Sequence, residues 1–425
     1  MPGRKTICWE EGIKDLKEIR MDADCKTLLL VGVDNSSLAY SVKKAEYKAF
    51  TVDYFGDHDT RVLSDGFVSV IDQKPGASSG RLEENYSPES LLRVFESMIE
   101  HEHEFYGTLL SSGLDDSFNV LEKINEECNI IGNSPETMRV VRDKKVFFRE
   151  LEKMGILHPE TLVASSLDSA IIKARDVGYP LVLKPSGGFA GAGVRKVNSE
   201  QQLVKEYGSL CSGQKKEVVL QEYVEGTPAS VSFMAAYPES KIVAFNEQLL
   251  GLENVYQPEP FGYCGNVTPY STNRHTMERC EEIVEKITNG FKLVGSNGVD
   301  LVISDDGTPY VIEVNPRFQG SLGCVERAYG VNLVKMHLAA CGVRELDENQ
   351  LRPSCFSTRL IIYAPRRVVA PDLVSRRSIT DVPCPGSIIE RGEPICSIMT
   401  DGGTRDESLH RAQETARSIF NHVSN

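Results

Sequence analysis

The chain has 425 residues, 40% of them apolar and 25% charged, which fits two or three soluble globular domains. A net charge of −14 excludes nucleic-acid backbone as the main partner, because phosphate contacts need a basic surface, although a local basic pocket for a nucleotide is compatible with it. No run approaches the roughly 20 apolar residues of a membrane span, and the eleven cysteines show neither Cys-x-x-Cys nor finger-like spacing, so reduced thiols in a cytoplasm are expected, with no zinc site.

Residues 1–26 read as an extension in which WEEGIKDLKEIR forms one helix. Its acidic residues stand where a signal peptide needs an apolar run. Residues 27–33 (TLLLVGV) are a continuous apolar run ending in glycine, as a buried parallel strand is. A helix to Lys44 and a short strand AFTVD over 49–53 follow. The alternation predicts a Rossmann-like, doubly wound domain over 27–133. Further elements are a helix over 91–101, a strand over 108–110 and a helix over 118–127. His101 and His103, in HEHEF, belong to a solvated helical face. The first βα loop, Gly32-Val33-Asp34-Asn35-Ser36-Ser37, has one glycine where the dinucleotide fingerprint has three, so no nicotinamide site is expected.

At Asn133 the character changes. Ser134 caps a helix with Pro135 at its first position, and the pattern predicts one helix through MRVVRDKKVFFRELEKMG to a stop at Gly155. Apolar β-type runs follow at 181–184, 218–221, 230–236, 242–245, 299–303 and 310–314. These make a mixed α/β domain over 134–345, with a lid subdomain over about 160–225. Residues 346–425 read as a small β-rich domain with FSTRLIIYA, turn-linked strands in DVPCPGSIIERGEPICSIMT, and a last helix DESLHRAQETARSIF.

The strongest chemical signal is GVDLVISDDG followed by YVIEVNPR. Read as a hairpin, it puts Asp300 thirteen residues before Glu313 and Asn315 two after it. Strand side chains alternate faces, so Glu313 and Asn315 point the same way, and Asp300 on the partner strand joins them. Three oxygen donors in apolar strands suit magnesium, which takes its other ligands from water and phosphates. Lys184 then ends an apolar strand and leads into Ser186-Gly187-Gly188-Phe189-Ala190-Gly191-Ala192-Gly193, a loop whose glycines let backbone N–H groups crowd an anion. No Gly-Lys-Ser/Thr follows, so it is not a Walker loop. The segment Gln221-Glu222-Tyr223-Val224 leaves a strand and can offer backbone groups to an adenine edge. Arg142-Asp143-Lys144 forms a charge cluster. Tyr256, Phe261, Tyr263 and Cys264, in the glycine- and proline-broken segment 250–270, are candidates to face a substrate pocket.

In this order the pieces resemble the ATP-grasp superfamily, and more closely its carboligase-like branch related to biotin carboxylase, over residues 27–342. The resemblance implies a Rossmann-like first domain, a two-subdomain ATP-grasp domain and a small β-rich C-terminal domain. It implies ATP and Mg2+ (Mn2+ being a second compatible ion) as cofactors. It assigns Lys144 and Lys184 to the nucleotide, Gly187 to Gly193 to the mobile lid loop, and Glu222 and Val224 to the adenine edge. Gln221 stands where a glutamate is frequent. Asp300, Glu313 and Asn315 match the metal ligands, and Arg317 an arginine that holds the acyl phosphate or its parent carboxylate. Two departures stand out. Thr227-Pro228-Ala229 lacks the glutamate that relatives place at the ribose. Gln319 is followed by Gly320-Ser321-Leu322, where biotin carboxylases carry a bicarbonate-handling glutamate, so biotin carboxylation is not expected.

The expected activity is therefore acyl-phosphate ligation of a small-molecule carboxylate to an amine, with Lys184 and Arg317 in catalytic roles. A bicarbonate- or formate-using ATP-grasp enzyme and a nucleotide-binding regulator without turnover remain alternatives. A homodimer through the first domain is the assembly the resemblance implies. Neither nucleic acid nor membrane is expected as a partner.

Overall fold

The computed structural model of the chain describes residues 26–101, 104–188, 190–211, 217–342, 351–376 and 378–423. The helix expected in WEEGIKDLKEIR and His103 lie outside them.

The first layer runs β1 (Thr27–Gly32), α1 (Ser36–Lys44), β2 (Lys48–Asp53), α2 (His58–Leu63), β3 (Gly66–Ser69), α3 (Leu82–Asn85), α4 (Pro88–His101), β4 (Gly107–Leu110) and α5 (Phe118–Glu127). Its parallel sheet has the order β3-β2-β1-β4. The apolar run of β1 has a plain cause. Leu28 and Leu30 pack on one side with Leu38 and Val42 of α1, while Leu29 and Val31 pack on the other with Leu91, Phe95, Leu121 and Ile124. With both faces covered, no polar alternation survives.

The single helix expected from Pro135 to Gly155 is two: α6 (Pro135–Arg142) and α7 (Lys144–Met154). Asp143 breaks it. Its backbone is extended (φ −68°, ψ 104°) and its carboxylate accepts the N–H groups of Lys145 and Val146, capping a new helix. Ser134 caps α6 through Thr137 N–H, and Gly155, at φ +65°, ends α7.

A four-stranded antiparallel sheet of order β5-β8-β6-β7 follows, from β5 (Thr161–Ala164), α8 (Leu167–Val177), β6 (Leu181–Pro185), β7 (Arg195–Val197), α9 (Glu200–Leu210) and β8 (Val218–Glu222). Its core sets Ala170, Ala174 and Leu203 of the helices against Leu181, Leu183, Val218 and Leu220 of the strands.

The rest builds an eight-stranded antiparallel sheet. The elements of this part of the chain are β9 (Thr227–Ala236), β10 (Glu239–Leu250), β11 (Tyr263–Thr268), α10 (Arg274–Phe291), β12 (Val294–Ile303), β13 (Pro309–Asn315), α11 (Leu322–Tyr329), α12 (Leu333–Ala340), β14 (Phe356–Tyr363), β15 (Val368–Val369), β16 (Ile379–Thr380), β17 (Ile388–Ile389), β18 (Pro394–Gly402) and α13 (Arg405–Val423). The strand order is β13-β12-β9-β10-β11-β14-β18-β16, so the sheet runs on into the segment after residue 345, while β15 and β17 pair separately. One face takes α7 and α10: Phe147, Leu151, Val284 and Ile287 pack on Val231, Phe233, Val299 and Val311. Alternation turns the intervening residues to the opposite face. There Glu313, Asp300, Ser230 and Asn246 are successive cross-strand partners, and Gln248, Asn266 and Arg359 form a second such row. This polar stripe crosses the sheet from the metal candidates to the C-terminal strands.

Candidate active site

Asp300 and Glu313 are register partners across the β12–β13 hairpin, with a bulge directly after Asp300. Asn315 Nδ2 donates to Asp300 Oδ2 at 3.0 Å, and Gln248 Nε2 donates to Asp300 Oδ1 at 2.9 Å. Lys144 Nζ donates to Glu313 Oε2 at 3.0 Å. The hairpin thus brings the three expected metal donors together. Burial and the neighbouring Glu313 raise the Asp300 carboxyl to about 7. Burial acts on Glu313 in the same direction, but Lys144, Arg142 and Lys184 outweigh it and hold that carboxyl far below its usual range. Among the described residues no group of three or more His, Cys, Asp or Glu is arranged to hold a metal ion by itself. Two carboxylates and an amide are a sparse, hard donor set, and that set suits magnesium with phosphate and water completing its shell.

Cations face this patch. The break at Asp143 puts Arg142 at the end of one helix and Lys144 at the start of the next, and both reach Glu313 Oε2, at 3.4 and 3.0 Å. Lys184, on β6, donates to Gln221 Oε1 at 2.6 Å, and Gln221 Nε2 in turn donates to Thr161 Oγ1 at 2.9 Å. Gln221 is buried and its amide is spent on holding Lys184. Burial first, then the charge of Lys144, lowers the Lys184 ammonium to about 8.

At the end of β8, the N–H of Glu222 donates to Glu160 O and that of Tyr223 to Pro180 O, so both are tied into the fold. Lys196 Nζ sits 3.4 Å from the centroid of the Tyr223 ring. Val224 follows beyond the ladder.

The glycine-rich loop lies clasped from two sides. Gly188 N–H donates to Asp116 Oδ2 at 3.2 Å, and Gly193 N–H to Glu259 Oε2 at 3.2 Å, where Arg195 also pairs with Glu259. Tyr263 N–H donates to Ala190 O at 3.0 Å. Gly191 has φ +77°, and a Cβ there would collide with the Phe261 carbonyl. Gly187 lies in the same loop, directly before Gly188.

The segment 250–270 corrects part of the pocket expectation. Phe261 and Tyr263 do meet the lid loop, and Tyr263 OH donates to Asn266 Oδ1 at 2.6 Å. Tyr256 instead packs edge-on against Phe420 and is 49% exposed. Cys264 is fully buried on β11, in the core it shares with Leu360 and Ile362 of β14, and burial pushes its thiol up to about 11, which leaves no nucleophile there.

Arg317 lies beside the Asp300–Glu313–Asn315 patch: its Nη2 stands 3.4 Å from Asn315 Oδ1. Its Nε donates to Asp115 at 2.9 Å and its Nη1 to Phe318 O at 2.8 Å. The sequence pattern alone does not single out Asp115 and Asp116. Their signal is SSGLDDS, which begins directly at the carboxyl end of the parallel strand β4, the edge where open α/β sheets bind ligands. Nor does the pattern mark Arg359, because FSTRLIIYA reads as an ordinary strand. Its Nη2 donates to Asp34 Oδ2 at 2.6 Å and to Asp381 Oδ2 at 2.7 Å, and its Nη1 to Gly320 O at 3.1 Å.

Residues 141–321 match the family model of the ATP-grasp domain. The chain contains an ATP-grasp domain. Its boundaries take in Arg142, Lys144, the glycine-rich loop, β8 and the whole β12–β13 hairpin. An uncharacterized protein of Methanocaldococcus jannaschii is 25% identical over 398 residues, 93% of this chain and 90% of that one. The carbamoyl phosphate synthase large chain of Xylella fastidiosa is 27% identical over 216 residues, 49% of this chain but only 19% of that longer protein. Among solved structures, the biotin carboxylase–β-γ-ATP complex from Campylobacter jejuni superposes with a TM-score of 0.71 at 17% identity, covering 91% of this chain and 89% of that one. At that identity the likeness is one of fold, and the fold is the ATP-grasp architecture with its mixed α/β layers.

Proposed function

We propose that this ATP-grasp chain is an ATP-dependent ligase that activates a small-molecule carboxylate as an acyl phosphate and joins it to an amine, releasing ADP and phosphate. One observation carries the reading: the carboxylate pair Asp300–Glu313 stands with Asn315 on one hairpin, with Lys144 bonded to Glu313 and Lys184, which leads into the glycine-rich loop, acting on the same carboxylate. Asp300, Glu313 and Asn315 would hold Mg2+, which would offset phosphate charge and orient the terminal phosphate. The chain's own residues supply the rest. Lys144 and Lys184 bind the phosphates as point charges, and the lid amides of Gly187, Gly188, Gly191 and Gly193 close over them. Val224, with the Glu222 carbonyl, meets the adenine edge. Arg317 holds the reacting carboxylate, and the closed lid keeps water from the acyl phosphate. No side chain serves as a covalent nucleophile.

Gln319-Gly320-Ser321 offers no carboxylate for bicarbonate, which favours an organic acid over the carboxylase alternative. The same reading makes the protein cytoplasmic and homodimeric through its first domain. No helix among the described residues is long and apolar enough to cross a membrane. The test is a screen of acids and amines with Mg2+ and ATP, read as ADP release. Release that requires both an acid and an amine supports ligation. Release with bicarbonate or formate alone supports the alternative, and ATP binding without stimulated release supports a regulator.

A further inference from the structure

Arg142 is the last residue of α6, and its side chain is only 5% exposed. Asp116 takes two of its donors: Nε donates to Oδ1 at 2.8 Å and Nη2 to Oδ2 at 3.2 Å. The third nitrogen, Nη1, is buried and has no hydrogen-bond partner. It stands 3.4 Å from Glu313 Oε2, an oxygen that Lys144 already occupies. Buried donors are rarely left unmade, and those left open mark places where something else binds. A guanidinium nitrogen can only donate, so the missing partner is an acceptor, and in a site where Arg142, Lys144 and Lys184 all act on one carboxylate that acceptor is an anion. A planar fork suits phosphate.

Position narrows the choice. Nη1 faces Glu313 Oε2, on the hairpin whose side chains are proposed to hold the metal that orients the terminal phosphate. Of the anions in the proposed reaction, the terminal phosphate is the one this position favours. Asp116 adds a second feature, because the same Oδ2 that holds Arg142 also accepts the Gly188 N–H of the lid loop at 3.2 Å. The lid and the guanidinium share one carboxylate.

We propose that Arg142 is a third phosphate-binding cation, selective for the terminal phosphate of a nucleoside triphosphate, and that Asp116 sets its orientation together with the closed position of the lid. The proposal rests on the nucleotide reading of this site and adds a residue to it. The test is calorimetric binding of MgATP and MgADP to the full chain, with Arg142→Met, Arg142→Lys and Asp116→Asn beside the parent. Arg142→Met is expected to weaken MgATP binding by about tenfold or more, the loss of one charge-assisted contact, and MgADP binding by less than about threefold. Arg142→Lys, which keeps the charge but loses the fork, folds and shows the same selectivity loss in smaller measure, so the test survives a Met variant that does not fold. Asp116→Asn is expected to weaken MgATP more than MgADP and to expose residues 186–194 to protease. Equal losses for the two nucleotides, or none in a folded variant, overturn the proposal and leave Arg142 as a support for Glu313. A parent protein that binds neither nucleotide overturns the nucleotide reading itself.

Discussion

Asp300 and Glu313 face each other across one hairpin, yet they hold protons in opposite ways: Asp300 is pushed up to about 7 while Glu313 is held low by three cations. Glu313 therefore neutralises the cluster, beside its proposed role as a metal ligand. Glu313→Gln is expected to lower acid-stimulated ADP formation by roughly a hundredfold, the scale of losing one electrostatic partner in a reaction site. The protein free of nucleotide should also melt earlier, because Lys144, Arg142 and Lys184 lose their shared anion. A coupled ADP assay and thermal melts with and without MgATP read both effects. Full activity in a folded Glu313→Gln protein would remove this residue from the site.

The hairpin was legible because its signal is local. Alternation alone puts Glu313 and Asn315 on one face, and the short turn brings Asp300 to them. The break at Asp143 was harder, since an aspartate in a helical pattern becomes a cap only when its carboxylate takes the next N–H groups. The partners of the arginines were out of reach for a different reason. Asp115 lies 202 residues from Arg317, and Asp34 lies 325 residues from Arg359, so only the folded sheet order brings them together. Tyr256 and Cys264 looked like pocket residues by composition, but loop composition does not say which side of the segment faces the core.

The lid makes a second prediction. Gly191 adopts φ +77° with Phe261 packed where a side chain would stand. Gly191→Ala therefore disfavours the clasped loop twice, through backbone strain and through collision. Turnover should fall by about tenfold, as roughly 1–2 kcal/mol of closure is lost. Residues 186–194 should become more sensitive to protease, and Tm should barely change. Unaltered proteolysis would show that the loop closes without this contact.

Glu259 holds the other side of the same loop through Gly193 N–H and Arg195. Glu259→Gln keeps one acceptor but removes the charge. Protease sensitivity of the lid is expected to rise modestly, by about twofold to fivefold for an ion pair that is partly exposed, and more in low salt than in high. A response independent of salt would mean that the pairing with Arg195 contributes little to closure.

The last prediction concerns acid stability and a histidine away from the site. His337 is buried, its Nδ1 accepts Ser296 N–H at 2.8 Å, and its Nε2–H donates to Ile131 O at 2.9 Å. Ser296 N–H can only donate, so the ring must stay neutral, and burial lowers its pKa to about 4 from the ordinary 6.5. Between those values the unfolded chain holds a proton that the folded chain does not. Stability is therefore fully present above pH 6.5 and is lost as pH falls toward 4, by about 3 kcal/mol over the whole window. Asp53, raised to about 7 by burial, acts the other way, since it stabilises the fold as it protonates. The measurement is thus a difference: urea unfolding of the parent and of His337→Gln at pH 7.5, 6.5, 5.5 and 4.5. The parent should lose stability relative to the variant as pH falls. A constant gap across that range would mean that His337 carries no protonation penalty in the fold.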